Sequence, residues 1–262
     1  MEDDVLGAPG DLQAAEEFSR LAQELSRQGS EGPTLDRIVS LAVETIDGCD
    51  YCGISLRDPN GRITTPAATD PIVDQVNELQ HRLQEGPCLD VSWALDTFFV
   101  DNMFTDTRWP RWTPEATRLG IGSTLSVLLD APAGQSHASL NLYAEKPYAF
   151  DPTDLAIASI YARHAGTALG MARAHDQMSA AMHSRQIIGV AQGILIQRFG
   201  LTLDSSFEVL RRYSQDHNIK LRTIAQNLVN AGGLPKADRT ELDKVTLAPP
   251  ADPSCEAGFC AH

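Results

Sequence analysis

The sequence predicts an α+β protein in which an antiparallel sheet with flanking helices precedes a long helix and an all-α three-helix bundle. Three observations lead to this fold class. Helical and strand-like hydrophobic patterns alternate through residues 33–150, with an Asn60-Gly61 turn between two short apolar runs. No proline follows Pro152 until Pro235, so one long helix can form there. Shorter amphipathic patterns after this stretch complete the bundle.

Turn residues and caps divide the first part of the chain into separate elements. An apolar stripe over residues 11–28 predicts an N-terminal helix, and Thr34 is the expected N-cap of a second helix. The remaining elements expected before the long helix are strands at 51–56, 62–68, 97–100, 123–129 and 139–144, and helices at about 71–84 and 109–119.

The long helix is expected to start after the N-cap Asp151 and to run from about Pro152 to Phe199. Positions that step by four and three residues within it are typical of a coiled-coil seam and predict a homodimer. For Leu155–Leu169, packing on the sheet of the same domain fits the pattern equally well, so both interpretations stay open. The seam positions are Ile157, Tyr161, His164, Ala168, Met171, His175, Met178 and Met182.

Charge is distributed unevenly along the chain. The net charge of −14 argues against nucleic-acid binding over the whole surface. Residues 184–230, however, carry six basic and three acidic side chains. A small helical module with a positive excess is a candidate nucleic-acid interface, although ordinary solvated helix faces explain the same charges. In the second helix of this module, Phe207, Leu210 and Tyr213 are predicted to face the core.

Several classes of protein are disfavoured by the sequence. The acidic start does not have the pattern of a signal peptide, and no segment reaches the roughly 20 apolar residues that span a bilayer. The odd number of five cysteines gives no disulfide framework and favours a cytoplasmic location. Cys49 and Cys52 have redox spacing, but no second pair completes a metal site. We therefore expect no enzyme, no cofactor and no metal, with a thiol redox enzyme as a remote alternative.

The bundle resembles the ANTAR domain, an RNA-binding module of bacterial transcription antiterminators. The family pattern is roughly R-x-x-I-x-x-A-x-G-x-L, a Gly-bearing turn, A-F-x-x-L-R, and x-x-I-A-x-x-[LI]-V. Two positions depart from it, because Gln192 stands where Lys is frequent and Ser206 stands where Ala usually precedes Phe207. The matching residues are Arg185, Ile188, Ala191, Gly193, Leu195, Gly200, Phe207, Leu210, Arg211, Ile224, Ala225, Leu228 and Val229.

The preceding residues resemble a GAF sensor domain of the type that precedes ANTAR domains in actinobacteria. The motifs are Glu85-Gly86-Pro87-Cys88-Leu89-Asp90, Asp106-Thr107-Arg108-Trp109-Pro110, Leu140-Asn141-Leu142-Tyr143 and Ala149-Phe150-Asp151. The two resemblances cover about residues 34–230. They imply an N-terminal extension at 1–32, a GAF domain at 33–150, a coiled-coil linker at 151–183, an ANTAR domain at 184–231 and a disordered tail at 232–262.

Together the resemblances imply a signal-responsive regulator that binds paired hairpins in leader transcripts and thereby blocks an overlapping terminator. An unidentified GAF ligand would lie between the sheet and the loops around residues 85–110, with His137 as a candidate contact. Two alternatives stay open, namely a ligand or protein sensor without RNA binding and a DNA-binding bundle. The residues expected to contact RNA are Arg185, Gln192, Arg198, Arg211, Arg212, Lys220 and Arg222.

Overall fold

The computed structural model describes residues 19–25, 27–57, 62–87, 97–129 and 137–231. The chain divides into two compact units, Met1–Gln177 and Met178–His262. The first unit contains an antiparallel sheet with helices on both faces, and the second is helical. This confirms the predicted fold class. The predicted tail lies outside the described residues, as does half of the predicted N-terminal helix.

The predicted elements after residue 30 are present, with small shifts at their ends. Residues 19–25, which precede them, are also helical. In chain order the elements are α1 (Glu31–Thr45), β1 (Tyr51–Arg57), β2 (Ile63–Ala68), α2 (Pro71–Leu83), β3 (Thr97–Val100), α3 (Trp112–Arg118), β4 (Ser123–Leu129), β5 (His137–Ala144), α4 (Pro152–Phe199), α5 (Leu203–His217) and α6 (Leu221–Ala231). Among the described residues, no helix combines the length and hydrophobicity needed to cross a bilayer.

Helix α1 begins earlier than the sequence predicts. Its N-cap is Ser30 rather than Thr34, which lies in the first turn and donates its hydroxyl to the Ser30 carbonyl oxygen at 2.7 Å. The Ser30 side chain forms no cap hydrogen bond. Instead, Oδ2 of Asp176 accepts the Glu31 N–H at 2.8 Å. Sequence reasoning missed this cap because the two residues are 145 positions apart.

The sheet has the strand order β2-β1-β5-β4-β3, and all neighbouring strands are antiparallel. One face buries apolar side chains such as Ile54, Leu125 and Leu140 against α1 and the first part of α4. The other face is covered by α2 and α3, with Trp112 and Tyr143 in its core. Two layers of helices therefore enclose the sheet, each over its own hydrophobic core.

The first part of α4 belongs to the core of the first unit. Tyr161, Ala165 and Ala168 are buried, and the Tyr161 hydroxyl donates to the Ile38 carbonyl oxygen at 2.7 Å. The interpretation of Tyr161 and Ala168 as seam residues for a second chain is therefore wrong, because these side chains pack inside their own domain. Packing on the domain's own core, the alternative kept open for Leu155–Leu169, describes this stretch.

The later methionines of the predicted seam are on the surface. Met171, Met178 and Met182 expose 61%, 63% and 63% of their surface. They follow one another at spacings of seven and four residues, which places them near one face of the same helix. A homodimer through this stretch of α4 stays a prediction.

The second unit packs the end of α4 against α5 and α6. A left-handed Gly200 ends α4, and Thr202 caps α5 by accepting the Ser205 N–H at 3.2 Å. The buried core residues are Ile187, Ala191, Leu195, Leu201, Val209, Leu210, Ile224, Ala225 and Leu228.

Phe207 does not belong to this core, contrary to the prediction. Its side chain is 38% exposed, whereas Ser206, Val209 and Leu210 are buried. The core-facing side of α5 is therefore rotated away from Phe207, because Ser206 occupies the inward position and hydrogen-bonds there. Tyr213, the third residue of the predicted face, is partly buried against the core.

Candidate nucleic-acid interface

The six cationic residues predicted to contact RNA are all exposed. Two lie on α4, two on α5, one just before α6 and one in its first turn. Exposure leaves each charged group accessible to a phosphate without a large desolvation cost. They are Arg185, Arg198, Arg211, Arg212, Lys220 and Arg222.

Arg211 and Arg212 differ in their surroundings. Nη2 of Arg211 lies 2.6 Å from Oε2 of Glu208, and this hydrogen bond raises the pKa of Arg211. Such an exposed pair contributes little stability, so a phosphate can compete for the guanidinium. Arg212 makes no hydrogen bond or ion pair with any residue that the structure describes. Adjacent helix positions point about 100° apart, so the two arginines widen the cationic surface.

The two departures from the ANTAR pattern contact each other. Nε2 of Gln192 donates to the Leu203 carbonyl oxygen at 3.1 Å and to Oγ of Ser206 at 3.3 Å. The Ser206 hydroxyl in turn donates to the Leu203 carbonyl oxygen at 2.6 Å. The amide of Gln192 thus joins α4 to the start of α5, and its predicted contact with RNA competes with this role.

Gly193 is not required by packing within the described chain. A Cβ atom built at Gly189 or Gly193 meets no atom within 4 Å, and both positions are exposed. No described neighbouring helix therefore requires the absence of a side chain at Gly193. Glycine in a helix costs about 1 kcal/mol relative to alanine, and this exposed position leaves room for a partner to approach the helix backbone closely.

An exposed aromatic ring lies among these cations. Phe207 and Leu203 are four residues apart on α5 and share a face, and Leu203 is 62% exposed. Arg211 follows Phe207 by one further turn. Aromatic rings and arginine planes are the groups on which unpaired RNA bases stack. Sequence reasoning assigned Phe207 to the core. The departure from the family pattern at the neighbouring Ser206 was the one sign that a different side of α5 could face the core.

In the first unit, the centre of the second sheet face is polar. Register pairs Ser55 with Ser139 and Gly53 with Asn141. Ser55, Ser139 and Asn141 are buried, and Nδ2 of Asn141 donates to Oγ of Ser55 at 2.9 Å. Oδ1 of Asn141 is buried and has no hydrogen-bond donor among the described residues. An unsatisfied buried acceptor costs about 1–3 kcal/mol, so this atom is a candidate ligand contact.

The loop motifs of the GAF resemblance fix local structure. The Glu85 carboxylate accepts the Arg111 and Trp112 N–H groups and the Arg111 side chain at 2.7, 3.2 and 2.6 Å. The hydrogen bond from the Arg111 side chain is the main reason that the pKa of Glu85 is lowered. The Arg108 guanidinium lies 4.8 Å from the Trp109 ring centre. Residues 88–96 and the His137 side chain lie outside the described residues.

Cys49 and Cys52 are buried thiols in the core of the first unit. Burial raises the pKa of Cys49 to about 12 and that of Cys52 well above its ordinary value. The reactive thiolate is therefore disfavoured at both positions. Within the described ranges, no group of three or more His, Cys, Asp or Glu side chains could hold a metal ion.

Family models match both parts of the chain. The model described as GAF domain matches residues 30–170, and the model described as ANTAR domain matches residues 176–229. The first match ends inside α4. It includes Tyr161 and Ala168, which are buried in the core of the first unit. No curated protein matches the chain.

Solved structures of similar fold include the GAF domain of a phosphoenolpyruvate-protein phosphotransferase from Coxiella burnetii, at 16% identity and a TM-score of 0.50, covering 62% of this chain and 96% of that one. A bacteriophytochrome from R. palustris has 9% identity and a TM-score of 0.52, covering 80% and 47%. A phytochrome photosensory core module from Stigmatella aurantiaca has 10% identity and a TM-score of 0.52, covering 78% and 45%. At these identities the likeness shows the fold alone.

The structure and the family matches agree on the two parts of the chain. A sheet enclosed by helices occupies the range of the first match, and three helices form the core of the second. The chain therefore belongs to the GAF domain family and carries an ANTAR domain after its GAF domain.

Proposed function

We propose that this protein is a signal-responsive RNA-binding regulator. Its ANTAR domain binds paired hairpins in leader transcripts and promotes transcription antitermination, and its GAF domain controls this binding. The observation that carries the proposal is the exposure of all six cations of residues 184–230 on a chain of net charge −14. The GAF and ANTAR domains support a regulator of this kind.

Hairpin loops suit this surface because they present phosphates and unpaired bases together. The cations can neutralise phosphates, while Phe207 offers an exposed ring to a base. Each neutralised phosphate of a single strand contributes a slope of about −0.7 to the dependence of log affinity on log salt. With six cations, we expect a slope no steeper than about −4.

The first prediction concerns the paired arginines. Reversing both charges in an R211E/R212E variant removes most hairpin binding, because each change replaces an attractive charge with a repulsive one. The measurement is affinity for a double-hairpin leader RNA at several salt concentrations, with duplex DNA as the competing target. Circular dichroism checks that the helices remain. An in vitro transcription assay on a leader with an overlapping terminator then measures read-through.

The matched control is the R82E/R118E variant in the first unit. Both arginines are exposed, and Arg118 pairs with Glu115 at the same spacing as Arg211 with Glu208. This control lowers the net charge equally and should retain binding. Equal affinity of R211E/R212E and the wild type contradicts the proposed surface. If the wild-type protein binds no hairpin RNA, the proposed function itself is wrong.

A second candidate function is a small-molecule sensor without RNA binding. It is favoured by the buried Asn141 oxygen, which no described donor satisfies. Duplex DNA binding, the third candidate, shares the cations but not the use of exposed rings for unpaired bases. The RNA and DNA arms of the same binding experiment separate these candidates.

We also infer that the protein acts as a homodimer in the cytoplasm, where leader transcripts are made, and that it is not an enzyme. The exposed Met171, Met178 and Met182 support self-association. The raised thiol pKa values of Cys49 and Cys52 argue against redox chemistry at that pair.

A further inference from the structure

Two aromatic rings are stacked at the C-terminal end of α5. The ring centres of Tyr213 and His217 are 4.0 Å apart, and the ring planes differ by 20°. Nδ1 of His217 lies 3.0 Å from the Tyr213 carbonyl oxygen. These two contacts fix the orientation of the imidazole relative to the phenol.

The two rings have different environments. Tyr213 is partly buried and packs against the core of the second unit, whereas His217 is exposed. The phenol therefore anchors the pair to the core and covers one face of the imidazole. Because His217 is exposed and one face of its ring lies on the phenol, the opposite face is the one left accessible to a partner.

The turn that follows the stack is also well fixed. Asn218 ends α5 in the left-handed conformation at φ 51°. The Ser214 hydroxyl donates to the Ile219 carbonyl oxygen at 2.6 Å, and the Ile219 N–H donates to the Ser214 carbonyl oxygen at 3.1 Å. Lys220 comes directly after this turn and is exposed. A ring that is already ordered loses little conformational freedom when it binds a partner.

We propose that the stacked Tyr213–His217 pair is a platform for one unpaired base of the bound RNA, with Lys220 on an adjacent phosphate. The inference rests on the proposed RNA binding and extends it. The six cations recognise phosphates, which duplexes and loops both possess. A flat ring recognises a base that has left its stack, and such bases occur in loops, bulges and ends. The platform therefore favours hairpin loops over duplexes.

The test uses the full chain and two RNA probes of equal length. One is a hairpin with a fluorescent purine analogue in its loop, and the other is a blunt duplex. The H217A variant removes the outer ring, and H217F keeps an aromatic ring while removing the imidazole. The matched control is H183A, because His183 is exposed on α4 and outside the stack.

We expect H217A to weaken hairpin binding by about 5- to 150-fold, the range for loss of one stacked base. H217F should bind the hairpin within about twofold of the wild type and preserve the fluorescence change of the loop base. Duplex binding should be unchanged in both variants, and H183A should match the wild type with both probes.

Three results overturn the platform while leaving RNA binding intact. They are equal hairpin affinity of H217A and the wild type, an equal loss of duplex affinity in H217A, and a loss in H217F as large as that in H217A. A wild-type protein that binds neither probe overturns the proposed function instead, and the platform with it.

Discussion

At the level of single residues, Gln192 and Ser206 show how two departures from a family pattern can be physically linked. The glutamine amide reaches a hydroxyl that a more typical alanine would not supply. A lysine at position 192 would add a cation to the surface of α4. In this chain the Gln192 amide joins two helices instead, so the proposed phosphate contacts would have to come from the six cations.

We predict that the Q192A variant lowers the stability of the second unit by about 1 kcal/mol, the usual contribution of a neutral hydrogen bond. Gln197 serves as the control, because it is exposed on the same helix and forms no hydrogen bond with a described residue. Hydrogen exchange of the α5 amides measures both variants. Equal protection in Q192A and Q197A would show that the Gln192 contacts contribute nothing.

Leu210 and Phe207 give a second contrast at this scale. Leu210 is fully buried and Phe207 is 38% exposed. We predict that L210A destabilises the second unit by about 2–5 kcal/mol, because it leaves a cavity in the core. F207A should cost less than about 2 kcal/mol while weakening RNA binding. Denaturant unfolding, together with hydrogen exchange of the α5 amides, measures the stability of both variants. A larger loss of stability in F207A than in L210A would show that Phe207 belongs to the core.

Sequence reasoning could predict the surface cations but not the phase of α5. Charged side chains are rarely buried without partners, so Arg211 and Arg212 were expected outside. The positions of apolar side chains are harder to predict, because either Phe207 or Val209 could face the core together with Leu210. The choice depends on Ser206 and on its contact with a residue from another helix.

At the level of elements, α1 is tied to α4 by polar contacts at its first residue. Nε of Arg173 lies 2.6 Å from Oε1 of Glu31, and Asp176 caps the Glu31 N–H. The Arg173 side chain is only 11% exposed. These contacts hold the turns of α4 that come just before Gln177, the last residue of the first unit.

We predict that R173Q destabilises the first unit by about 1–2 kcal/mol, since it leaves Glu31 without a partly buried partner. R163Q is the control, because Arg163 is exposed ten residues earlier on the same helix. Exchange of the α4 amides before Gln177 reports local opening. If both variants open this segment equally, the Arg173–Glu31 pair does not secure it.

The strands and short helices were predictable because turns, prolines and alternating hydrophobicity mark their ends. The two roles of α4 were not. A coiled-coil seam has a period of 3.5 residues and a packed surface helix one of 3.6, so Tyr161 and Ala168 fit both. The alternation of Ser139, Asn141 and Tyr143 with leucines shows in the sequence that one face of β5 is polar. The pairing of the first two with Ser55 and Gly53 of β1, which completes the polar centre of the sheet face, shows only in the structure.

At the level of the whole molecule, self-association would rely on the methionines that the first unit does not bury. We predict a homodimer that the M171D/M178D variant weakens, because two charges would lie in an apolar contact. H183D is the control, since it places a charge on an exposed position of the same helix that is not one of the predicted seam positions. Light scattering over a range of concentrations measures association. A wild-type protein that stays monomeric throughout, with and without RNA, contradicts the dimer.

The core of the first unit draws side chains from both ends of its segment, from Leu25 to Leu169. During synthesis, the sheet and α1 emerge from the ribosome before the buried residues of α4. The part of the apolar sheet face that packs against α4 therefore stays uncovered until the chain has been made well past Ala168. A nascent chain in this state exposes hydrophobic surface of the kind that chaperones bind. Completion of the GAF domain thus comes late in translation, only shortly before the last helices of the ANTAR domain are made.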